Sequence, residues 1–133
     1  MAKLVYTLFM RNLAIKILCF SLLVLLMPLP AQADRADVLD VRMSKTTTEV
    51  YNFDVTIRHA DDGWEHYANK WDILGPDGSI LGTRVLFHPH VSEQPFTRSL
   101  SDVRIPAGTD AVTIRAHDSV HGYGGKEVTI KIP

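Results

Sequence analysis

The chain has 133 residues, with 14 lysines and arginines against 15 acids and a formal net charge of −1. That balance offers no basic stripe of the kind that tracks phosphates, so nucleic acid and anionic membrane surfaces are poor candidate partners. A single cysteine excludes an intramolecular disulfide framework and a cluster of thiolate ligands.

The first 33 residues read as a cleaved secretory signal. Lys3, Arg11 and Lys16 form a basic start without an acid, an apolar run follows from Ile17 to Leu29, and Pro30 leads into the small-residue tripeptide Ala31-Gln32-Ala33. The run is shorter than the roughly 20 residues that a spanning helix needs. Cys19 is preceded by Lys16-Ile17-Leu18, which lacks the small residue expected before a lipidated cysteine, so no stable membrane anchor is expected after cleavage. Removal of this segment takes away three bases and no acid, leaving eleven bases against fifteen acids, a net charge of −4, and no cysteine. The expected destination is the periplasm in a Gram-negative cell and the exterior otherwise.

Residues 34 to 133 carry short β-branched and alternating segments separated by turn residues, the pattern of an all-β protein. Seven strands are predicted, at 36–43, 49–59, 69–75, 79–87, 97–105, 110–118 and 126–132. In the second, Tyr51, Phe53, Val55 and Ile57 alternate with Asn52, Asp54, Thr56 and Arg58, and the first set should face the core. In the sixth, Val112, Ile114 and Ala116 point inward and Thr113, Arg115 and His117 outward. Trp71 in the third reads as a core residue. The implied fold is an immunoglobulin-like antiparallel β-sandwich.

Successive antiparallel strands place their connections at alternate ends. Lys45–Thr48, Gly75–Gly78 and Pro106–Thr109 are plain turn chemistry at one end. Residues 60–68, 88–96 and 119–125 are longer connections at the other. All six histidines, His59, His66, His88, His90, His117 and His121, lie in those three connections or at the strand ends entering them. Continuing the inward alternation past Ile57 reaches His59, and past Ala116 it reaches Asp118, so both should cap the core where the sheets part. Neutral imidazole is the commonest metal ligand. Imidazole with carboxylate, and no thiolate, suits one ion of copper or zinc, with iron possible. The predicted metal ligands are His59, His66, His121 and Asp118, with His88 or His90 next, whereas Asp61, Asp62, Glu65 and Glu93 read as solvated loop charges.

The loop segments resemble something known. His59-Ala60-Asp61-Asp62-Gly63-Trp64-Glu65-His66-Tyr67 followed by Trp71, and Asp118-Ser119-Val120-His121-Gly122, resemble the iron-site segments of superoxide reductases, the desulfoferrodoxin and neelaredoxin family. That resemblance implies an immunoglobulin-like sandwich in which His59, His66 and His121 correspond to histidine ligands. Asp118 stands where that family has a cysteine.

Three functional readings follow. The first is an exported metal-binding protein acting in handling, delivery or sensing. The second is a mononuclear metalloenzyme related to superoxide reductase, and the third a metal-free module whose histidine and aromatic loops dock another exported protein. No catalytic constellation is visible: Ser119, His121 and Asp118 are crowded into one loop without an oxyanion device, which argues against a serine hydrolase.

Overall fold

Residues that alternate in hydropathy cannot bury one face alone, and in the computed structural model two sheets close over their apolar faces. Residues 34–133 are described; the leader and cleavage site expected from the sequence lie outside them. Their order is β1 (Asp37–Thr47), β2 (Val50–Arg58), β3 (Ala68–Leu74), β4 (Ile80–Val85), β5 (Phe96–Arg104), β6 (Ala111–Asp118) and β7 (Val128–Lys131). No described helix is long and apolar enough to cross a membrane.

One sheet runs β1-β2-β5 and the other β4-β3-β6-β7, every pair antiparallel. This is an immunoglobulin-like sandwich with β4 paired to β3. Tyr51, Phe53, Val55 and Ile57 of β2 are buried and meet Trp71 and Ile73 of β3 and Val112, Ile114 and Ala116 of β6. With no disulfide, this apolar layer must hold the domain. Each fully buried side chain of Ile or Phe size contributes about 1.5–3 kcal/mol relative to exposure.

The first strand is longer than its sequence suggests. It continues through Thr47, so the tight turn is Thr48-Glu49 rather than Lys45–Thr48, with Glu49 at a φ of 62°. The alternation fades after Met43 because the end of β1 is exposed on both faces. Here pairing with β2, in which Lys45 lies opposite Tyr51 and Thr47 opposite Val50, defines the strand.

Candidate metal centre

β2 and β6 belong to different sheets, and each carries its inward alternation one step beyond the apolar core. His59 follows β2 and Asp118 ends β6, and both are buried. They meet at the end of the sandwich where the sheets diverge.

Two tight loops bring further histidines to the same place. Within β2–β3, the His66 amide donates to the Gly63 carbonyl at 3.2 Å and the Asp62 amide to the His66 carbonyl at 3.1 Å, folding His66 back toward His59. Within β6–β7, Asp118 and Gly122 exchange two backbone hydrogen bonds of 3.1 Å around a turn in which Gly122 has φ 75°, a conformation that suits glycine. Ser119 fastens the loops together: its amide donates to the Tyr67 carbonyl at 3.0 Å and its hydroxyl accepts from the Tyr67 amide at 3.1 Å. Its role is therefore structural.

One ligand atom each from His59, His66 and Asp118 lies within 4.8 Å of the others. His66 Nε2 is 3.4 Å and His121 Nδ1 is 3.3 Å from Asp118 Oδ1. These separations exceed the 2.7–2.9 Å or so of a charge-assisted hydrogen bond. His66 Nε2, His121 Nδ1 and Asp118 Oδ2 are all buried without a hydrogen-bond partner. Burial alone would raise the Asp118 carboxyl. The His121 and Val120 amides, donating to Oδ1 at 2.6 and 2.9 Å, and the nearby imidazoles outweigh it and hold the group below the ordinary carboxylate value. An anionic oxygen beside two imidazole nitrogens is a donor set for a divalent cation.

Asp61 is not the solvated charge that its loop position suggests. Its side chain is fully enclosed, with Oδ1 at 2.6 Å from His59 Nδ1 and accepting the Ala68 amide at 2.9 Å, while Oδ2 accepts the His90 amide at 2.7 Å. It thus orients His59 and joins two loops, as a carboxylate behind a ligating histidine does. Gln94 adds a second tie, accepting the His59 amide at 3.0 Å and donating to the His90 carbonyl at 3.2 Å. Asp34 supplies a third. Its carbonyl oxygen lies 2.9 Å from His59 Nε2 and its carboxylate accepts the Ala60 amide at 3.0 Å. Loop composition alone identified none of these three. The alternation that turns His59 inward was the available signal, because a buried imidazole requires partners.

His88 and His90 stand apart from the cluster. His90 lies beyond Asp61, with Nδ1 3.9 Å from Asp61 Oδ2 and its ring stacked on Phe96 at 3.8 Å. Burial, then Arg98 and His88, depress its pKa. His88 is exposed, its ring 4.7 Å from that of His90. His117 faces outward, as alternation predicts, with Nδ1 2.7 Å from the Asn69 side-chain oxygen.

No family model and no solved structure matches the chain. A protein of Halomicrobium mukohataei described as "Putative lipoprotein" is 41% identical over 95 residues, which cover 71% of this chain. The match covers 46% of that protein, so the chain spans about half the length of the relative it matches. A relative of that description is consistent with an exported protein.

Proposed function

We propose that the chain is an exported, periplasmic metal-binding protein that holds one copper or zinc ion, with iron the third candidate, at His59, His66, His121 and Asp118. The observation that carries this reading is the set of three buried, unpartnered atoms, His66 Nε2, His121 Nδ1 and Asp118 Oδ2, gathered around one carboxylate. Leaving each without a partner costs about 1–3 kcal/mol. Two ligands bound to one ion at about 2.1 Å lie roughly 3.0 Å apart at a right angle and roughly 3.4 Å apart at the tetrahedral angle, a range that includes the spacing of both imidazole nitrogens from Asp118 Oδ1. A leader ending in Ala31-Gln32-Ala33 supports export.

A second reading is a mononuclear metalloenzyme. It is favoured by the asymmetry of the site: the side chains of His66 and His121 are 21% and 29% exposed while that of Asp118 is 0% exposed. An ion there would meet solvent on its histidine flank, leaving room for an exchangeable ligand. Asp118 in place of a thiolate removes the sulfur donor of superoxide reductases.

The test is metal content and affinity of the exported, processed protein without a His-tag. Elemental analysis should find about one equivalent of a single metal, and titration an affinity tighter than about 1 μM, some 8 kcal/mol. Both should be lost in a His66→Ala, His121→Ala double variant that still folds. No stoichiometric uptake, or uptake unchanged in the variant, overturns the reading and favours a protein-docking role for the exposed Trp64, Phe87, Val91 and Val120 around these loops.

A further inference from the structure

The first residues of a domain are ordinarily loose unless something ties them down. Here the residue that follows the Ala31-Gln32-Ala33 signal is tied at two points to the connection after β2. The Asp34 carboxylate accepts the Ala60 amide at 3.0 Å, and its carbonyl oxygen lies 2.9 Å from His59 Nε2. The next residues are clasped from the other side. Arg35 donates to the Tyr123 carbonyl at 2.8 Å and the Val38 amide to the Lys126 carbonyl at 2.8 Å. A Cβ on Gly125 would run into the Ala36 carbonyl, so the glycine permits the close approach. Two loops of the candidate metal centre thus grip residues 34–38 from either side.

We propose that the α-amino group of Asp34, freed by cleavage after Ala33, is itself a metal ligand at this centre, chelating a Cu(II) ion together with the Asp34 carbonyl oxygen beside His59. This rests on the metal-binding reading above and names the ion. Bond lengths keep a residue's nitrogen within roughly 3.6 Å of its own carbonyl oxygen, and an ion held by both closes a five-membered ring. Ligands at about 2.1 Å and at right angles lie roughly 3.0 Å apart. The 2.9 Å between the Asp34 carbonyl oxygen and His59 Nε2 is a hydrogen-bond distance that also suits neighbouring positions on one ion, which would take the place of the shared proton. An amine, an imidazole and a carbonyl oxygen at right angles form the N,O set that favours Cu(II). Asp61 holds the opposite nitrogen of the His59 ring, which leaves Nε2 as the coordinating atom. In the uncleaved chain the same nitrogen is a peptide amide and a poor ligand, so leader removal would tighten the site.

The test starts from the full-length precursor, exported and processed by the host. Intact mass should place the new N-terminus at Asp34; any other terminus overturns the proposal. Inserting Ser-Gly after Ala33 moves the free amine two residues away while keeping the cleavage signal, and Cu(II) affinity should fall roughly tenfold or more. Unchanged affinity overturns it. The unmodified chain gives an independent readout should the insertion disturb folding. When 15N-aspartate is supplied to a transaminase-deficient histidine auxotroph fed unlabelled histidine, no imidazole is labelled, so a 15N coupling in the electron–nuclear spectrum of bound Cu(II) identifies the Asp34 amine. A spectrum showing only 14N couplings overturns the proposal. Copper bound by both chains with equal affinity leaves the metal reading intact and removes only the amine, whereas no copper uptake by the processed protein removes both.

Discussion

Two buried aspartates, both with side chains at 0% exposure, divide the molecule's polar interior into different kinds of site. Asp72, in the middle of β3, is satisfied. The Tyr123 hydroxyl donates to it at 2.6 Å, the Thr83 hydroxyl at 2.7 Å, and Arg115 lies at 3.4 Å, its guanidinium stacked 3.8 Å from the Tyr123 ring centre. Asp118, at the end of β6, has its first oxygen held by two amides, with two unpartnered imidazole nitrogens 3.3 and 3.4 Å from that oxygen, and its second oxygen unpartnered. A closed set of hydrogen bonds stabilises a fold and has no capacity left for a ligand. An open one, in the same burial, is a place where something else can bind.

The sharpest way to break this comparison is to remove each carboxylate in turn. Asp72→Ala strands Arg115 and the Tyr123 hydroxyl and should destabilise the domain by about 3 kcal/mol, read by denaturant unfolding without added metal, while metal affinity stays nearly unchanged. Asp118→Asn, which keeps a side-chain oxygen to accept the Val120 and His121 amides, should do the reverse, lowering metal affinity on the order of a hundredfold or more, since even carboxylates behind the ligands are worth 10–100-fold. Equal stability losses with equal affinity losses would erase the distinction.

A smaller effect sharpens the role of Asp61. Asp61→Asn keeps the shape but weakens the hold on His59, and affinity should drop by about 10–100-fold. His88→Ala, at an exposed side chain outside the cluster, should stay within about 0.5 kcal/mol of the parent in both stability and metal binding. A large loss of affinity on His88→Ala would show that the β4–β5 loop closes over the ion.

Most of the fold was legible because strand alternation is a direct consequence of half-burial. The pattern from Tyr51 to Ile57 and from Val112 to Ala116 could be extended by one step, and that step correctly predicts burial of His59 and Asp118. The loops were less legible. Asp61 and Asp62 are adjacent acids of the same type, yet one is enclosed and the other exposed. What separates them is the turn at Gly63–His66 and the Ala68 and His90 amides that Asp61 accepts, contacts made across the chain rather than along it. Asp34 was illegible for the same reason, since its partners His59 and Ala60 lie on a different connection. Strand pairing likewise carries β1 past the point where its hydropathy pattern ends.

The smallest effect concerns acid. Burial works to raise the Asp72 carboxyl, but hydrogen bonds from Tyr123 and Thr83, with the charges of Lys70 and Arg115, prevail and hold it below the usual aspartate value. A carboxyl whose folded pKa lies below its unfolded value binds fewer protons in the folded chain. Its contribution is therefore complete above the unfolded value of about 3.9 and is lost as pH falls through the folded value. Tyr123→Phe removes the shortest of these bonds and should bring the folded value back toward the unfolded one. The parent's stability should then decline more steeply than the variant's below about pH 4 in denaturant titrations at stepped pH. Parallel acid limbs in parent and variant would mean that Asp72 is not held low by Tyr123, and the satisfied half of the comparison would lose its anchor.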